Sequence, residues 1–559
     1  MTVTTPQPTV PWSVRTGRVA LMEQLRADGF TQMFGNPGTV EQGFLDALSD
    51  VPELSYVLAL QETVAVGMAD GYARATGGPA LVQLHSGVGL GNGIGMLYQA
   101  KRGHSPLVVL VGEAGVRYDA MDAQMASDLV AMAAPVTKHA TRVLHPDSLL
   151  RVVRRAVKIA TTAPAGPVLV ALPMDVLDAP NDEPVFATTV PDTRVAPAPD
   201  LIARAADLLA PARRPVLLVG DGVAFAGAQP ELVRVAEILG ADVWQVDSSE
   251  PNLPAGHPLL RGTLGHMFGA ASAAAVADAD AVLVVGTYLF PEVFPDLTSP
   301  FAPGTPVVHI DLDAYEIGKN HPVDLGLVAD PKLTLAALGA ELAARTAPAA
   351  AAGRLATRRA EMVARAGTEP APDSVLAEFL RQVAARAGDD VMVFDEALTA
   401  SPLVSHHFPP LRPGHHFTTR GGSLGVGLPG AIGMKIAHPE RTVIGFTGDG
   451  GAMYTYQAVW TAVRHDVPAL FVVCNNHGYQ LLDDNIDAYW RERGIDGRTH
   501  PEGFDLGRPE LDFVGLARAM GADGAVVRKV DDVPAAVDAM FAATGPFLVD
   551  VHTDDLVDR

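Results

Sequence analysis

Short apolar runs alternate with amphipathic stretches along most of the chain. Each apolar run is bounded by small or polar residues, as buried strands are, and Thr442–Thr447 is a clear example. The stretch Met453–Arg464 follows it and predicts one helix, because its apolar residues recur at positions i, i+3, i+4 and i+7: Tyr456, Val459, Trp460 and Val463. This regular alternation predicts parallel β-sheets covered by α-helices.

The predicted strands fall into three groups along the chain. The first group is Gln32–Phe34, Ser55–Ala59, Ala80–Leu84, Leu107–Val111 and Val168–Ala171. The second group is Val216–Val219, Asp242–Gln245, Ala281–Val285 and Val307–Asp311. The third group is Val391–Phe394, Val443–Thr447, Leu470–Cys474 and Phe547–Val551. Amphipathic stretches separate the runs within each group, as in a sheet built from β-α-β units.

Two stretches of different composition interrupt the alternation. Residues 179–200 are rich in Pro, Asp and Thr, and residues 346–373 are rich in Ala and Pro, with room for a short charged helix between the ends of the second stretch. Such composition is typical of linkers. They divide the chain into segments of about 1–180, 195–345 and 370–559. We therefore predict an α/β fold with three doubly wound parallel-sheet domains.

Composition and charge narrow the class of protein. Hydrophobic residues make up 48% of the chain and charged residues 19%, which is typical of a globular protein with a large core. The net charge of −23 argues against nucleic acid or an anionic membrane as a partner. Cys474 is the only cysteine, so no intramolecular disulfide forms, and its place at the end of a strand favours core packing. Without a long apolar run or a signal peptide, we expect a cytoplasmic protein.

Two strands that follow one another along the chain end in polar residues suited to holding a ligand. Gly448-Asp449-Gly450 follows the first strand and Asn475-Asn476 follows the second, so that Asn476 lies 27 residues after Asp449. The carboxyl ends of parallel strands meet at one edge of a sheet, beside helix N-termini, where a diphosphate is favoured. A carboxylate, an amide oxygen and a backbone carbonyl suit Mg²⁺.

A second Gly-Asp-Gly sequence, at 220–222, provides an internal comparison. It also follows an apolar run, yet Ser248 stands 27 residues after its aspartate, and Asn475-Asn476 is the only asparagine pair in the chain. An ordinary polar turn between strand and helix is the alternative for either sequence. The combination of Asp449 with the asparagine pair resembles the signature of thiamine-diphosphate (ThDP) enzymes.

The resemblance to ThDP enzymes extends over nearly the whole chain. It implies a pyrimidine-binding domain at 1–180, a central domain at 195–345 and a diphosphate-binding domain at 370–559. It also implies that Mg²⁺ is held by three ligands: Asp449, Asn476 and the backbone carbonyl of Gly478. The diphosphate is expected to contact a neighbouring set of residues: Gly450, Gly451 and Asn476.

Glu62 is the candidate for the acid that activates the cofactor. ThDP works by losing the proton on its thiazolium C2, which requires a carboxylic acid beside the pyrimidine N1′. Glu62 follows the strand Ser55–Ala59 and begins a helix, and its surroundings resemble the strand–glutamate–helix of the family. A carboxylate that only complements the helix dipole is the alternative. In the family this glutamate reaches cofactor held by a second subunit, which implies a homodimer or homotetramer with active sites at the subunit interface.

A glycine-rich segment, 420–430, is expected to hold the cofactor in its bent form. Glycine allows the backbone to approach a ligand closely. Leu424 resembles the apolar residue that lies between the two rings of the cofactor, and the backbone carbonyl of Gly422 stands where it would accept from the 4′-amino group. Glu396 matches a cofactor-contacting position in relatives. The alternative is a glycine-rich loop that simply enters the helix Leu428–Ile436.

Three motifs look most like benzoylformate decarboxylase within this superfamily: 34–41 (FGNPGTVE), 58–62 (LALQE) and 84–95 (LHSGVGLGNGIG). Thr39 takes the place of that family's serine, and its hydroxyl is expected to bind the carboxylate of the substrate. His85 matches a histidine that handles protons, a role that suits a side chain titrating near neutral pH. A structural histidine at a strand end is the alternative.

The chain departs from this family at several positions of the substrate pocket. A second active-site histidine is expected near Val293, where there is none, and Glu292 is the nearest titratable residue. Leu481 is bulkier than the small residue expected there, and Asn485 replaces an aromatic one. Three residues are candidates for the missing proton donor, although each is better explained by another role: His416, Arg420 and His477.

These features together predict an enzyme that removes CO₂ from a 2-oxo acid without oxidation and releases an aldehyde through an enamine intermediate. A carboligase of the acetolactate synthase or acyloin type is the first alternative, and a non-catalytic ThDP-binding subunit is the second. Residues 262–269 and 309–320 look like acetolactate synthase, whose central domain binds FAD. Because relatives without flavin share these sequences, ThDP and Mg²⁺ are expected as cofactors and FAD is not.

Overall fold

The alternation of apolar runs and amphipathic stretches produces three parallel six-stranded sheets flanked by helices. They are seen in a computed structural model that describes residues 14–265, 267–346, 348–366 and 374–553. The predicted fold class, α/β with doubly wound parallel sheets, is confirmed. Within the described residues, no helix has the length and apolar character needed to cross a membrane.

The first sheet has the strand order β2-β1-β3-β4-β6-β5. Its strands are β1 Gln32–Gly35, β2 Ser55–Leu58, β3 Ala80–His85, β4 Leu107–Glu113, β5 His139–Arg142 and β6 Val168–Pro173. Its helices are α1 Gly17–Ala27, α2 Gln42–Leu48, α3 Glu62–Thr76, α4 Ser86–Arg102, α5 Leu129–Ala133, α6 Leu149–Thr161 and α7 Met174–Asp178. Every residue of β4 is buried, since helices cover both faces of the sheet, and this explains its unbroken apolar sequence.

The second sheet has the order β12-β11-β10-β7-β8-β9. Its strands are β7 Pro215–Val219, β8 Asp242–Val246, β9 Leu260–Leu264, β10 Ala281–Val285, β11 Val307–Asp311 and β12 Leu325–Val328. Its helices are α8 Pro199–Leu209, α9 Asp221–Phe225, α10 Gln229–Leu239, α11 Gly269–Val276, α12 Pro331–Arg345 and α13 Pro348–Ala366. The apolar sides of the strands and helices form the core.

The third sheet has the order β14-β13-β15-β16-β18-β17. Its strands are β13 Met392–Glu396, β14 His416–Thr418, β15 Val443–Gly448, β16 Leu470–Asn475, β17 Asp523–Val527 and β18 Phe547–His552. Its helices are α14 Val375–Ala387, α15 Ser401–His407, α16 Gly427–Ala437, α17 Asp449–Thr455, α18 Ala458–Arg464, α19 Gln480–Arg493, α20 Phe513–Ala519 and α21 Val533–Ala542.

Three features differ from the sequence-based expectation. The strands that were not predicted all lie at sheet edges: β5, β9, β12, β14 and β17. The single helix predicted over Met453–Arg464 is divided between α17 and α18, because Tyr456 is buried at the break and its hydroxyl donates to the backbone carbonyl of Phe513. Most of the expected linker 346–373 is helix α13, whose Arg358 pairs with Asp242, while 367–373 lie outside the described residues.

The chain forms two compact units. The first contains the chain up to Pro191, Glu396–Thr399 and the chain from Gly421 onward, and the second contains Asp192–Asp395 and Ala400–Arg420. The stretch 181–198 has no helix or strand, as expected of a linker. The residues of the predicted catalytic, cofactor and metal sites belong to the first unit, whereas His416 and Arg420, candidates for the missing proton donor, belong to the second.

Candidate active site

The three predicted metal ligands lie together at the carboxyl edge of the third sheet. Asp449 is the first residue of α17, after β15, and Asn476 follows β16, which pairs with β15 in parallel register. The N–H of Gly478 lies 3.0 Å from Oδ2 of Asp449 and 3.1 Å from Oδ1 of Asn476, so it donates to both oxygens. The two side-chain oxygens are therefore held close to each other and to the Gly478 backbone.

This group of oxygen atoms fits Mg²⁺. Asp449 is buried, its Oδ1 accepts from the N–H of Gly450 at 2.9 Å, and burial raises the pKa of its carboxyl to about 6. A divalent cation would favour the charged carboxylate and offset the cost of burial. Asp449, Asn476 and the carbonyl of Gly478 would hold the ion, which commonly bridges to phosphate oxygens.

The glycines beside Asp449 make room for the neighbouring side chains. A Cβ at Gly450 would lie 2.4 Å from Cε1 of Tyr479, and a Cβ at Gly451 would lie 2.8 Å from Oγ1 of Thr447. Both glycines are in the first turn of α17, where backbone N–H groups point out of the helix. This backbone can approach a diphosphate more closely than one carrying side chains.

The carboxylate of Glu396 accepts hydrogen bonds from the glycine-rich segment. One carboxylate oxygen accepts from the N–H of Gly425, and the other accepts from the N–H of Gly427 at 2.6 Å and from the hydroxyl of Thr447 at 3.3 Å. Glu396 is fully enclosed, and burial raises its pKa to about 7. Its carboxylate thus fixes the shape of the loop that leads into α16.

The two residues proposed to contact the cofactor on this segment are less enclosed. Leu424 is half-buried, and Gly422 is exposed with a φ of 68°, a left-handed conformation that favours glycine. Gly425 has a φ of 97°. The segment is therefore a shaped loop before α16, with an apolar side chain between two glycines that the backbone geometry requires.

Glu62 lies at the carboxyl edge of the first sheet, as predicted. It begins α3, it is buried, and its Oε2 accepts from Nδ2 of Asn92 at 2.9 Å. A Cβ at Gly89 of α4 would lie 2.8 Å from Oε1 of Glu62, so a side chain at this position would displace the carboxylate. Asn92 was not among the predicted site residues, although a lone amide side chain in the glycine-rich stretch 84–95 was a usable signal.

His85 is paired with a carboxylate that the sequence analysis also overlooked. Nδ1 of His85 lies 2.9 Å from Oε2 of Glu41, and both side chains are largely buried. Burial raises the pKa of Glu41, while the nearby His85 acts in the opposite direction. Glycines enclose the pair, since a Cβ at Gly38 would meet the imidazole and a Cβ at Gly112 would meet the Glu41 carboxylate.

Gly89 of α4 lies beside the carboxylate of Glu62 and the Cβ atom of His85. The position that a Cβ of Gly89 would occupy lies 2.8 Å from the carboxylate of Glu62 and 3.3 Å from Cβ of His85. Thr39 is exposed in the turn after β1, two residues before Glu41. An acid, a histidine and a hydroxyl at one sheet edge supply the groups needed to activate a cofactor, bind a carboxylate and move protons.

The candidate replacements for the missing histidine have other partners. Arg420 forms ion pairs with Asp221 at 3.4 Å and Asp247 at 3.2 Å. His416 is buried in β14, its Nδ1 lies 3.1 Å from the carbonyl oxygen of Phe408, and burial lowers its pKa. His477 contacts His552. Each of the three residues therefore has a contact that explains its presence without a role in catalysis.

The remaining positions of the expected pocket lie on a loop and on α19. Val293 is exposed, while Glu292 beside it is buried with no hydrogen bond to either carboxylate oxygen from the described residues. Leu481 and Asn485 are half-buried on α19, a helix without a fully buried residue among those described.

Comparison with known proteins agrees with the fold. Three family models match: the N-terminal thiamine pyrophosphate (TPP) binding domain at 15–132, the central domain of thiamine pyrophosphate enzymes at 202–338 and the C-terminal TPP binding domain at 399–551. The chain belongs to the thiamine pyrophosphate enzyme family. It is an enzyme whose cofactor is ThDP, and Mg²⁺ is the usual partner metal in this family.

Its relatives include both decarboxylases and carboligases. Benzoylformate decarboxylase of Pseudomonas aeruginosa is 32% identical over 557 residues, covering 97% of this chain and all of the relative. A probable acetolactate synthase large subunit of Methanocaldococcus jannaschii is 30% identical, covering 96% of this chain and 92% of that protein. The structure of a ThDP-dependent 4-hydroxybenzoylformate decarboxylase of Rhodococcus jostii RHA1 is similar with a TM-score of 0.83, 29% identity, and coverage of 97% and 99%.

Proposed function

We propose that this enzyme removes CO₂ from an aromatic or branched 2-oxo acid and releases the corresponding aldehyde, which makes it a carbon–carbon lyase. The observation that carries the proposal is the group of Glu62, His85 and Thr39 at the edge of the first sheet, with His85 held by Glu41 at 2.9 Å. The similarity of 32% to a benzoylformate decarboxylase over the full length supports it. When bound, ThDP supplies an acidic carbon that adds to a keto group and accepts the electron pair left by CO₂.

Each residue of this site has a defined role in the proposed reaction. Glu62 shares a proton with the pyrimidine nitrogen of the cofactor, and Asn92 keeps its carboxylate in place. Thr39 donates a hydrogen bond to the carboxylate of the substrate. His85 supplies the proton that takes the place of CO₂ on the product carbon, so that a 2-oxo acid anion and one proton give an aldehyde and CO₂.

The diphosphate end of the cofactor is assigned to the third sheet. Asp449, Asn476 and the carbonyl of Gly478 would hold Mg²⁺, and the backbone of Gly450 and Gly451 would contact the diphosphate. At the other side, Leu424, Gly422 and the loop fixed by Glu396 support the bent cofactor. We propose that the domains span 1–180, 195–345 and 370–559 and that subunits assemble as a homodimer or homotetramer with the active sites between them.

The test is a panel of 2-oxo acids with the protein loaded with ThDP and Mg²⁺. CO₂ release and mass-spectrometric identification of the aldehyde are measured for the natural chain, Glu62→Gln and the exposed control Glu53→Gln. We expect Glu62→Gln to lose activity by roughly 100-fold or more, as is typical when a positioned acid or base is removed, and the control to keep it. Full activity of Glu62→Gln, or no CO₂ from any 2-oxo acid, would overturn the proposal.

Carboligation is the second candidate because acetolactate synthases also match nearly the full length at 30% identity. The absence of a histidine at Val293 favours this candidate over a strict benzoylformate decarboxylase. Assays with two different carbonyl compounds distinguish the reactions, since a carboligase yields a hydroxyketone and a decarboxylase yields an aldehyde. A non-catalytic role is disfavoured by the presence of Glu62, Asp449 and Asn476 together.

A further inference from the structure

His477, Glu510 and His552 lie together beside the loop that carries Asn476 and Gly478. Nε2 of His477 is 3.0 Å from Nδ1 of His552. With a carboxylate oxygen of Glu510, these two nitrogens form a set of three ligand atoms that all lie within 4.8 Å of one another. Two imidazole nitrogens and one carboxylate oxygen are a common donor set for zinc in proteins.

The fold determines this arrangement through three connections. Asn475, at the end of β16, pairs with His552 at the end of β18, so both strands end at the same level. The segment before Glu510 then runs along the loop, since the N–H of Leu506 donates to the carbonyl of His477 at 2.8 Å and the N–H of Tyr479 donates to the carbonyl of Phe504 at 2.9 Å. The three candidate ligands are thus brought together by parts of one compact unit.

The surroundings of His552 resemble those of a metal-binding histidine. Its side chain is buried, and Nε2, which has no hydrogen-bond partner among the described residues, faces Oδ2 of Asp550 at 3.5 Å. Asp550 is itself held by Nδ2 of Asn475 at 3.0 Å. A carboxylate behind one ring nitrogen fixes the imidazole so that the other nitrogen presents its lone pair, and this arrangement is usual for zinc ligands.

His477 adopts an uncommon backbone conformation that directs its ring toward His552. Its φ is 59°, in the left-handed region that few residues other than glycine adopt. The N–H of His477 donates to Oδ1 of Asn475 at 3.2 Å, which stabilises this turn. Such strained positions are concentrated at functional sites. The side chain is therefore oriented by the same loop that carries Asn476 and Gly478.

The positive charge of Arg528 offsets the negative charge of Glu510 in the cluster. Its guanidinium lies 2.5 Å from Oε1 of Glu510 and 3.2 Å from Nδ1 of His552. The side chain is 58% exposed, so it can turn into solvent when another cation arrives. A bound divalent ion would replace this guanidinium as the partner of Glu510 and His552. Arg528 should therefore lower the affinity of the cluster for metal.

We propose that His477, Glu510 and His552 bind Zn²⁺ or a similar divalent transition metal, at a site separate from the Mg²⁺ site at Asp449. Imidazole nitrogen favours zinc and its neighbours, whereas Mg²⁺ favours oxygen ligands, so excess Mg²⁺ does not displace zinc from this cluster. Three protein ligands leave a fourth position for water. Since His477 lies between Asn476 and Gly478, the metal would connect the loop of the cofactor site to β18 and to the segment that carries Glu510.

The test uses the full chain loaded with ThDP and excess Mg²⁺, titrated calorimetrically with Zn²⁺ alone. We expect one tight zinc site per chain, which Glu510→Ala and His552→Gln remove. Asp550→Asn should weaken it by about 10- to 100-fold, as changes behind a zinc ligand typically do. Arg528→Met should tighten it. Co²⁺ in place of Zn²⁺ should give the visible absorption of a four-coordinate site in the natural chain and lose it in Glu510→Ala.

The matched control is His500→Ala. His500 lies 3.2 Å from Asp483 and 2.9 Å from Asp487, so it is the competing histidine–carboxylate cluster of the same unit. Zinc binding that persists in Glu510→Ala and His552→Gln, or that disappears in His500→Ala instead, would overturn the proposal. Glu510 is on the surface, so its substitution leaves the fold intact, and this variant decides the outcome if His552→Gln unfolds.

Discussion

At Gly89, the absence of a side chain leaves room for the carboxylate of Glu62 beside Cβ of His85. The carboxylate of Glu62 and Cβ of His85 would both meet a Cβ placed there, at 2.8 and 3.3 Å. Glu62 is fixed by Asn92 and His85 by Glu41, so each group has one hydrogen-bonding partner within the same unit. The chemistry proposed for this enzyme therefore depends on two pairs of side chains rather than on two single residues.

Glu41 is expected to act as a positioning residue for His85. Its carboxylate fixes Nδ1 of His85 at 2.9 Å, leaving the other ring nitrogen for the substrate, and it stabilises the imidazolium that forms when a proton is taken up. Replacing Glu41 by Gln removes the charge but keeps the shape. We expect kcat and kcat/KM to fall together by roughly 10- to 100-fold, part of what a complete acid–base group contributes.

Steady-state kinetics with the best 2-oxo acid measure this effect in Glu41→Gln, with Glu53→Gln as the control. The midpoint of thermal unfolding is followed in parallel. Equal loss in kcat and kcat/KM at an unchanged melting temperature supports a role in the transition state. A variant that only raises KM, or that only lowers the melting temperature, would contradict it.

How much of the site could be predicted depended on whether a residue stands at the end of a recognisable strand. Asp449 and Asn476 were found because each follows a recognisable strand, and the fold brings those strands side by side. Glu41 and Asn92 were missed because neither follows a strand. Glu41 precedes α2 and Asn92 lies within α4, and their contacts exist only in the folded sheet. Sequence patterns identify strand ends, but they do not show which side chains face each other there.

At the scale of elements, the central strands of the three described sheets were predicted, and so was the edge strand β2, but the other five edge strands were not. A central strand such as β4 is buried on both faces and has an unbroken apolar sequence. An edge strand needs less apolar surface, and β5, at an edge of the first sheet, has no fully buried residue. The same reason applies to β9, β12, β14 and β17. The pattern of apolar residues therefore identifies strands that are fully buried, and it misses strands that are only partly buried.

Helices α3 and α16 pack so closely that their glycines are required. A Cβ at Gly433 would lie 1.9 Å from the carbonyl oxygen of Met68, and a Cβ at Gly71 would lie 2.1 Å from that of Gly430. Backbone atoms cannot move aside as flexible side chains can. This contact joins the helix that begins with Glu62 to the helix that follows the glycine-rich loop, within the first unit.

Gly433→Ala is expected to destabilise the protein by about 1–3 kcal/mol or more, since an added methyl group forces the two helices apart. Gly91→Ala is the matched control, because Gly91 is also in a helix, α4, and has no atom near the position of its Cβ. The control should gain roughly 0.4–1 kcal/mol from the reduced freedom of the unfolded chain. Urea unfolding of both variants measures the difference, and equal stabilities would show that the helix contact is not tight.

At the scale of the whole molecule, the sequence predicted three sheets, whereas the homodimer or homotetramer was implied only by the resemblance to ThDP enzymes. The net charge of −23 argues against nucleic acid or an anionic membrane as a partner, and it does not identify a surface for assembly. Helix α13 formed where a linker was expected, since an Ala- and Arg-rich stretch has high helix propensity and its Arg358 can pair with Asp242. Composition alone did not distinguish a flexible connection from a surface helix.

The proposed assembly makes a prediction that a single chain does not. If Glu62 of one subunit serves the cofactor held by Asp449 of another, then Glu62→Gln and Asp449→Asn damage the same site from different chains. Each homodimeric variant should be inactive. In a mixed dimer, one site carries both substitutions and the other carries neither, so about half of the natural activity per dimer should return.

Two affinity tags, one on each variant chain, allow the mixed dimer to be isolated after co-expression and assayed with ThDP and Mg²⁺. Glu53→Gln paired with Asp449→Asn is the control, and it should give the same half activity whether or not sites are shared. Recovery in the Glu62→Gln and Asp449→Asn mixture means that active sites lie between subunits. If each site were built from one chain, both chains of that mixture would be defective and its activity would stay at background, while the control mixture would still be active.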